Sequence, residues 1–94
     1  MREKFVEQKL VRAVKAMGGS APKCTSPGMA GMPDRLILLP DGKMGFVELK
    51  APGKKPRPIQ VARISQLRRL GFKVYVVDGV EQIGSVLDDI EEDA

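Results

Sequence analysis

Two apolar runs, Leu36-Ile37-Leu38-Leu39 and Met44 to Leu49, flank Pro40-Asp41-Gly42-Lys43, and no other stretch limits the fold as much. Turn formers between two short runs of this kind predict an antiparallel hairpin, with strands over 34–39 and 44–50. Side chains alternate across a strand, so Glu48 and Lys50 share a face with Phe46, while Val47 and Leu49 take the other. The hairpin carries Asp34, which follows Pro33, to the side of Glu48. Two carboxylates and an ammonium are then expected on one patch of sheet. Carboxylates this close repel, so a site that keeps both ionised holds a cation. Oxygen ligands of this type suit Mg²⁺ or Mn²⁺, not zinc.

The rest of the chain supplies covering elements. Val6, Leu10, Val11, Ala13, Val14 and Met17 recur at helical spacing, which predicts a helix over 3–17 stopped by Gly18-Gly19. Residues 20–33 are rich in Pro and Gly and predict loop, with a short strand around Ala21–Thr25. The stretch Ala51 to Arg57 carries two prolines and cannot continue a ladder. Pro58 suits the first turn of a helix reaching Leu70, with Gly71 as its stop. Lys73–Val77 is β-branched and aromatic, and predicts a strand. A weaker helix is expected over 80–91. A crossover through a helix from Lys50 to Lys73 predicts a parallel βαβ unit. The expected class is α/β: a small mixed sheet flanked by helices in the order α-β-β-β-α-β, then a final helix. One domain over 1–94 is expected, with an acidic tail from about residue 88.

Charge and composition narrow the partners. The net charge of +4 hides an asymmetry, because Asp88, Asp89, Glu91, Glu92 and Asp93 lie together near the end. Without them the chain has 16 basic residues against 7 acidic, a net +9 that favours a polyanion such as nucleic acid. Histidine is absent and Cys24 is the only cysteine, which excludes an internal disulfide and the cysteine-histidine zinc patterns. A reducing, cytoplasmic setting is expected. Met1-Arg2-Glu3-Lys4 opens a charged amphipathic segment, and no run approaches the ~20 apolar residues of a membrane span. A chain of this length has a modest core, so a homodimer is expected to bury more. The apolar set Val80, Ile83, Val86, Leu87 and Ile90 of the last helix is the candidate surplus.

Four further features invite a chemical role. Glu7 falls inside the apolar stripe of the first helix, where it either lies at the rim beside a cation or faces a metal. Gln60 falls within the apolar side of the second helix. It either bonds a loop carbonyl or reaches Lys50, a phosphate or water at the site. Arg63 is one turn further on. Lys54, Lys55 and Arg57 form a basic loop directly after Lys50, and with Arg35 and Arg63 they are the candidate phosphate contacts. The few aromatic residues are not interleaved with this loop, which argues against a single-strand stacking platform.

Taken together, these residues resemble the PD-(D/E)XK nuclease superfamily, and within it the stand-alone VRR-NUC domain of phages. Gly31-Met32-Pro33-Asp34-Arg35-Leu36 is similar to the family's glycine–x–Pro-Asp-Arg segment. Phe46 to Gly53 is similar to its Glu-x-Lys strand and following loop. Gln60, behind a proline at a helix start, resembles its glutamine, and Gly71–Val77 its closing strand. Glu7 matches its acidic residue on the first helix. Arg57 departs from the usual capping Ser or Thr. The resemblance implies a restriction-endonuclease-like fold and Mg²⁺-dependent phosphodiester hydrolysis, with Mn²⁺ as a substitute. It implies Asp34, Glu48 and the Leu49 carbonyl as metal ligands, Glu7 acting through water, and Lys50 orienting the attacking water. It implies branched DNA, four-way junctions above all, as substrate for a dimer, acting in the host cytoplasm if phage-encoded. A helicase or recombination partner is left open.

Overall fold

The computed structural model describes residues 2–92, so Asp93 at the end of the expected acidic tail lies outside the described residues. Helix α1 spans Glu3–Ala16, strand β1 Arg35–Leu39 and strand β2 Lys43–Leu49. Helix α2 spans Pro58–Arg69, strand β3 Val74–Val77 and helix α3 Ile83–Glu91. The sheet order is β1-β2-β3, with β1 antiparallel and β3 parallel to β2. This is the expected α/β arrangement, with the helix-linked parallel pair in place.

The hairpin closes through Pro40–Gly42, where Asp41 (φ 66°) and Gly42 (φ 74°) both take the left-handed conformation. Two successive positive φ values match the right-handed twist of the flanking strands, and an Asp-Gly pair adopts them at low cost. Register pairs Arg35 with Val47 and Leu39 with Lys43. The strand expected around Ala21–Thr25 is reduced to single bridges, Ser20 to Leu38 and Lys23 to Arg35. Pro22 has no N–H to donate and so prevents a regular ladder, although its carbonyl accepts from the Leu36 amide at 3.0 Å. The segment still covers the outer edge of β1.

Helices pack on both faces of the sheet. Val6, Leu10 and Val14 of α1 and Ile83, Val86, Leu87 and Ile90 of α3 pack with Ile37, Leu39, Val47, Leu49 and Val77. Ile64 and Leu67 of α2 pack on the opposite face with Phe46 and Val74. Gly45 permits the α3 contact, because a Cβ there would lie 2.9 Å from Ile90 Cδ1. The α3 apolar residues are thus consumed within one chain: all are buried except the half-buried Val80, which packs against the same core. The expectation that they exceed what this small sheet can cover is corrected.

Asp88, Asp89 and Glu91 lie on α3 itself, near its C-terminus, where carboxylates oppose the helix dipole. Lys73 offsets this, its Nζ donating to the Asp89 and Glu92 carbonyls at 2.5 and 2.9 Å. The Tyr75 hydroxyl donates to the Asp89 carboxylate, and burial together with that carboxylate pushes the phenol up to about 12. No helix among the described residues is long and apolar enough to cross a membrane.

Candidate active site

The strand parity read from the sequence holds at the end of β2. Glu48 lies on the α2 face, with Phe46, and is fully buried. Its Oε2 accepts from Lys50 Nζ at 2.7 Å and from Gln60 Nε2 at 2.8 Å. Its Oε1 is buried with no hydrogen-bond partner. A buried acceptor without a partner costs about 1–3 kcal/mol, so it marks a place where something else is expected to bind. Burial raises the Glu48 pKa above the usual glutamate range. The Lys50 hydrogen bond lowers it, the Asp34 charge raises it, and the Lys50 charge lowers it again. The Asp34 backbone amide also favours the charged form, without reaching hydrogen-bond geometry with Oε1.

Asp34 sits immediately before β1 begins. The Leu49 N–H has run out of β1 backbone to bond, and Asp34 Oδ2 accepts from it at 2.8 Å. The carboxylate therefore stands in for the next rung of the ladder. Asp34 is exposed, and its Oδ1 takes no hydrogen bond from the described residues. One oxygen on each carboxylate remains for a ligand.

Gln60 has its amide orientation dictated by its place. Its Oε1 accepts from the Arg57 N–H at 2.8 Å, satisfying an orphan amide at the start of α2, which leaves Nε2 for Glu48. Only an amide can do both, since a carboxylate at 60 would cap the helix but face Glu48 with like charge. The same bond is the glutamine half of a capping box, and it satisfies the Arg57 N–H, a different donor from those that a Ser or Thr at 57 would serve.

Glu7 is placed elsewhere. Its Oε2 accepts from Arg35 Nε and Nη2 at 3.2 and 3.1 Å, on the α1 face of the sheet. Arg35 also donates from Nη1 to the Ala21 carbonyl at 2.7 Å. The structure thus brings Glu7 to Arg35, not to the two carboxylates. Arg35 ties α1, the 20–24 segment and β1 together, where the sequence led to a phosphate contact. Strand parity explains the difference, since Arg35 points opposite to Asp34. Arg63 is likewise engaged, its Nε donating to the Ala30 carbonyl at 2.9 Å and its Nη1 to Gln66 Oε1. Lys54, Lys55 and Arg57 are exposed on the loop from β2 to α2, with no side-chain partner among the described residues.

Gly31 (φ +79°) has no role legible in the sequence beyond its place in the motif string. A Cβ there would lie 2.5 Å from the Ile59 carbonyl oxygen, so only glycine lets this loop rest on the first turn of α2. The spacing from Gly31 to Pro33-Asp34 was its only signal.

A cation fits the carboxylate pair. No group of three or more His, Cys, Asp or Glu side chains converges among the described residues. The protein offers two carboxylates, whose oxygens suit Mg²⁺, an ion that would fill its other positions with water and phosphate. Glu48 Oε1 is the buried atom that such an ion would meet.

The VRR-NUC domain model matches residues 3–81. The chain belongs to the VRR-NUC family. It is by that membership a nuclease domain. It is 47% identical over 87 residues to the protein described as "Putative nuclease p44" of Acyrthosiphon pisum secondary endosymbiont phage 1, a match covering 93% of this chain and 92% of that protein. A solved structure described as "VRR_NUC domain" superposes with a TM-score of 0.85 at 30% identity, over 94% of this chain and 97% of that one. The family assignment and the small mixed sheet expected from sequence agree.

Proposed function

We propose that this VRR-NUC nuclease is a Mg²⁺-dependent endonuclease for branched DNA, with four-way junctions as its preferred substrate. The observation that carries the metal reading is the convergence of Asp34 and Glu48 around an unpartnered buried oxygen. Asp34, Glu48 and the Leu49 carbonyl would hold the ion, and Mn²⁺ would substitute. When bound, the ion supplies Lewis-acid polarisation of the scissile phosphate and a more acidic water.

The side chains do the remainder. Lys50, anchored on Glu48 Oε2, presents an ammonium at the edge of the pair, where it orients the attacking water and offsets charge building on phosphate. Gln60 holds Glu48 in one rotamer and, through the cap bond, ties it to α2. Glu7 has Oε2 committed to Arg35, so any role in the reaction would run through water from Oε1. Lys54, Lys55 and Arg57 bind backbone phosphates next to the site and supply affinity without sequence preference.

Junction preference follows from symmetry. One chain carries one pair of carboxylates, and paired cuts across a two-fold junction need two, hence a homodimer. Exposed Phe5, Ile59, Val61, Leu70 and Phe72 offer apolar surface for such contacts, now that α3 does not.

The test is a cleavage panel with Mg²⁺ on duplex, flap, fork, single strand and four-way junction at equal concentration. Light scattering on free and junction-bound protein accompanies it. Expected are fastest cleavage of the junction and a dimer mass. Equal rates on plain duplex, from a monomer in both states, would refute junction preference. Asp34→Asn and Glu48→Gln test the metal separately. The amide at 34 still accepts from the Leu49 N–H, so loss of Mn²⁺ binding in calorimetry reads the lost charge and not a broken fold.

A further inference from the structure

The geometry points to Arg63 as a positioning residue for Asp34, acting through the loop before it, and not as a ligand for DNA phosphate. This rests on the reading of Asp34 as a metal ligand. The guanidinium is turned onto protein: Nε donates to the Ala30 carbonyl and Nη1 to Gln66, one turn along the same helix. An arginine fork spans two acceptors at fixed separation, which a lysine cannot copy.

A second observation, independent of Arg63, joins the same two segments. Residue 31 lies so close to the Ile59 carbonyl that only glycine fits, and its φ of +79° is one that glycine adopts freely. The loop then continues through Met32, which packs against the Phe46–Ile64–Leu67–Val74 cluster, and through fully buried Pro33. On its other side the Asp34 carbonyl accepts from the Cys24 N–H at 2.8 Å. Asp34 therefore emerges from a loop clamped on α2, with its carboxylate already aimed at the Leu49 N–H.

The same helix holds the other carboxylate through Gln60. Asp34 ends the loop before β1 and Glu48 lies on β2, and both are indexed to the first two turns of α2. Relative placement of two metal ligands is set by a single rigid element, which is what a site with only two carboxylates needs. Lys54, Lys55 and Arg57 remain the phosphate-facing set.

Arg63→Ala and Gly31→Ala test this together, because the second leaves every charge unchanged. Both are expected to weaken Mn²⁺ binding about tenfold, the scale seen for groups that orient metal ligands. Both should lower kcat, recover with excess Mn²⁺, and bind junction DNA in EDTA within a factor of two of the parent. Lys54→Ala with Lys55→Ala should do the reverse. The Leu49 amide gives a readout that needs no metal: its NMR shift and hydrogen exchange report the Asp34 bond. Movement of that amide in Arg63→Ala and Gly31→Ala supports the assignment. An unmoved Leu49 amide, with DNA affinity reduced as in the lysine variants, overturns it. Failure of the parent to bind Mn²⁺ would remove the metal reading of Asp34, while the Leu49 amide would still decide what Arg63 does. If Arg63→Ala does not fold, Arg63→Lys, which keeps the charge a phosphate would meet but cannot span both acceptors, carries the same two outcomes.

Discussion

Replacing Gln60 by Ala should cost far more stability than a residue at a helix start ordinarily does, and most of the cost should vanish once Glu48 is gone. Gln60 is 6% exposed and makes two hydrogen bonds of different kinds. The neutral bond from the Arg57 N–H contributes about 1 kcal/mol, and the bond to ionised Glu48 about 1.5–3 kcal/mol. Burial of the side-chain methylenes adds about 1 kcal/mol, and freeing a glutamine rotamer returns about 1.5 kcal/mol. The net loss is about 2–3.5 kcal/mol, which lowers Tm by about 8–28 °C in a domain of this size. Urea unfolding in EDTA measures it, with no metal present. In a Glu48→Ala background the charged bond is already absent, so Gln60→Ala should cost only about 0.5 kcal/mol. The double-mutant cycle should then return a coupling of about 1.5–3 kcal/mol. Gln60→Glu adds a sharper sign, since it keeps the cap and sets carboxylate against carboxylate. It should be unstable at pH 8 and recover as the pH falls and the pair shares a proton. A coupling below about 0.5 kcal/mol would refute the claim that Gln60 holds Glu48.

Three other outcomes follow from the same geometry. The Glu48 pKa is raised in the folded state, chiefly by burial, so its contribution to stability is fully present below the usual glutamate pKa and lost as pH rises through the folded value. In EDTA, the stability of the parent relative to Glu48→Gln should fall over that window, while Mn²⁺ affinity, which needs the carboxylate, should rise over it; calorimetry and unfolding at stepped pH decide both. Lys50→Met should keep Mn²⁺ binding and lower the single-turnover cleavage rate by about 10²-fold or more, the scale of a missing charge-stabilising group. Neutralising Lys54, Lys55 and Arg57 should reduce the slope of log affinity against log salt by about 0.9 for each duplex-arm phosphate that no longer meets a cation, read by fluorescence anisotropy.

The strands, their facing and the four residues on the α2 side were legible in the sequence because period-two alternation and a Pro-Asp-Gly turn dictate them locally. Asp34, Glu48 and Lys50 could be placed together from the hairpin register alone, and Gln60 from its oddity within an apolar stripe. The pairing of Glu7 with Arg35 was half legible: a carboxylate inside the α1 stripe demanded a cation, but nothing local said which one. Arg35 and Arg63 were read as phosphate contacts because a positive charge looks the same in sequence whether it faces solvent or a carbonyl. Choosing between the two requires knowing that Ala30 comes to rest on α2, a hydrogen bond between residues 33 positions apart along the chain. The α3 face was misjudged for a related reason: its apolar residues could be counted, but the area of sheet that Gly45 opens to Ile90 could not.

The site also shows why its two carboxylates differ in character. Glu48 is a buried carboxyl whose ionisation is opposed chiefly by burial and favoured in part by Lys50, while Gln60 donates to the same oxygen as Lys50. Asp34 is exposed and has a structural task, ending the β1–β2 ladder at the Leu49 N–H. A ligand on Asp34 Oδ1 leaves that task undisturbed, whereas a cation at Glu48 Oε1 supplies what the fold lacks. Binding should therefore gain more at Glu48 than at Asp34. A cation that met both Glu48 Oε1 and Asp34 Oδ1 would leave the Asp34 Oδ2 bond to the Leu49 N–H intact.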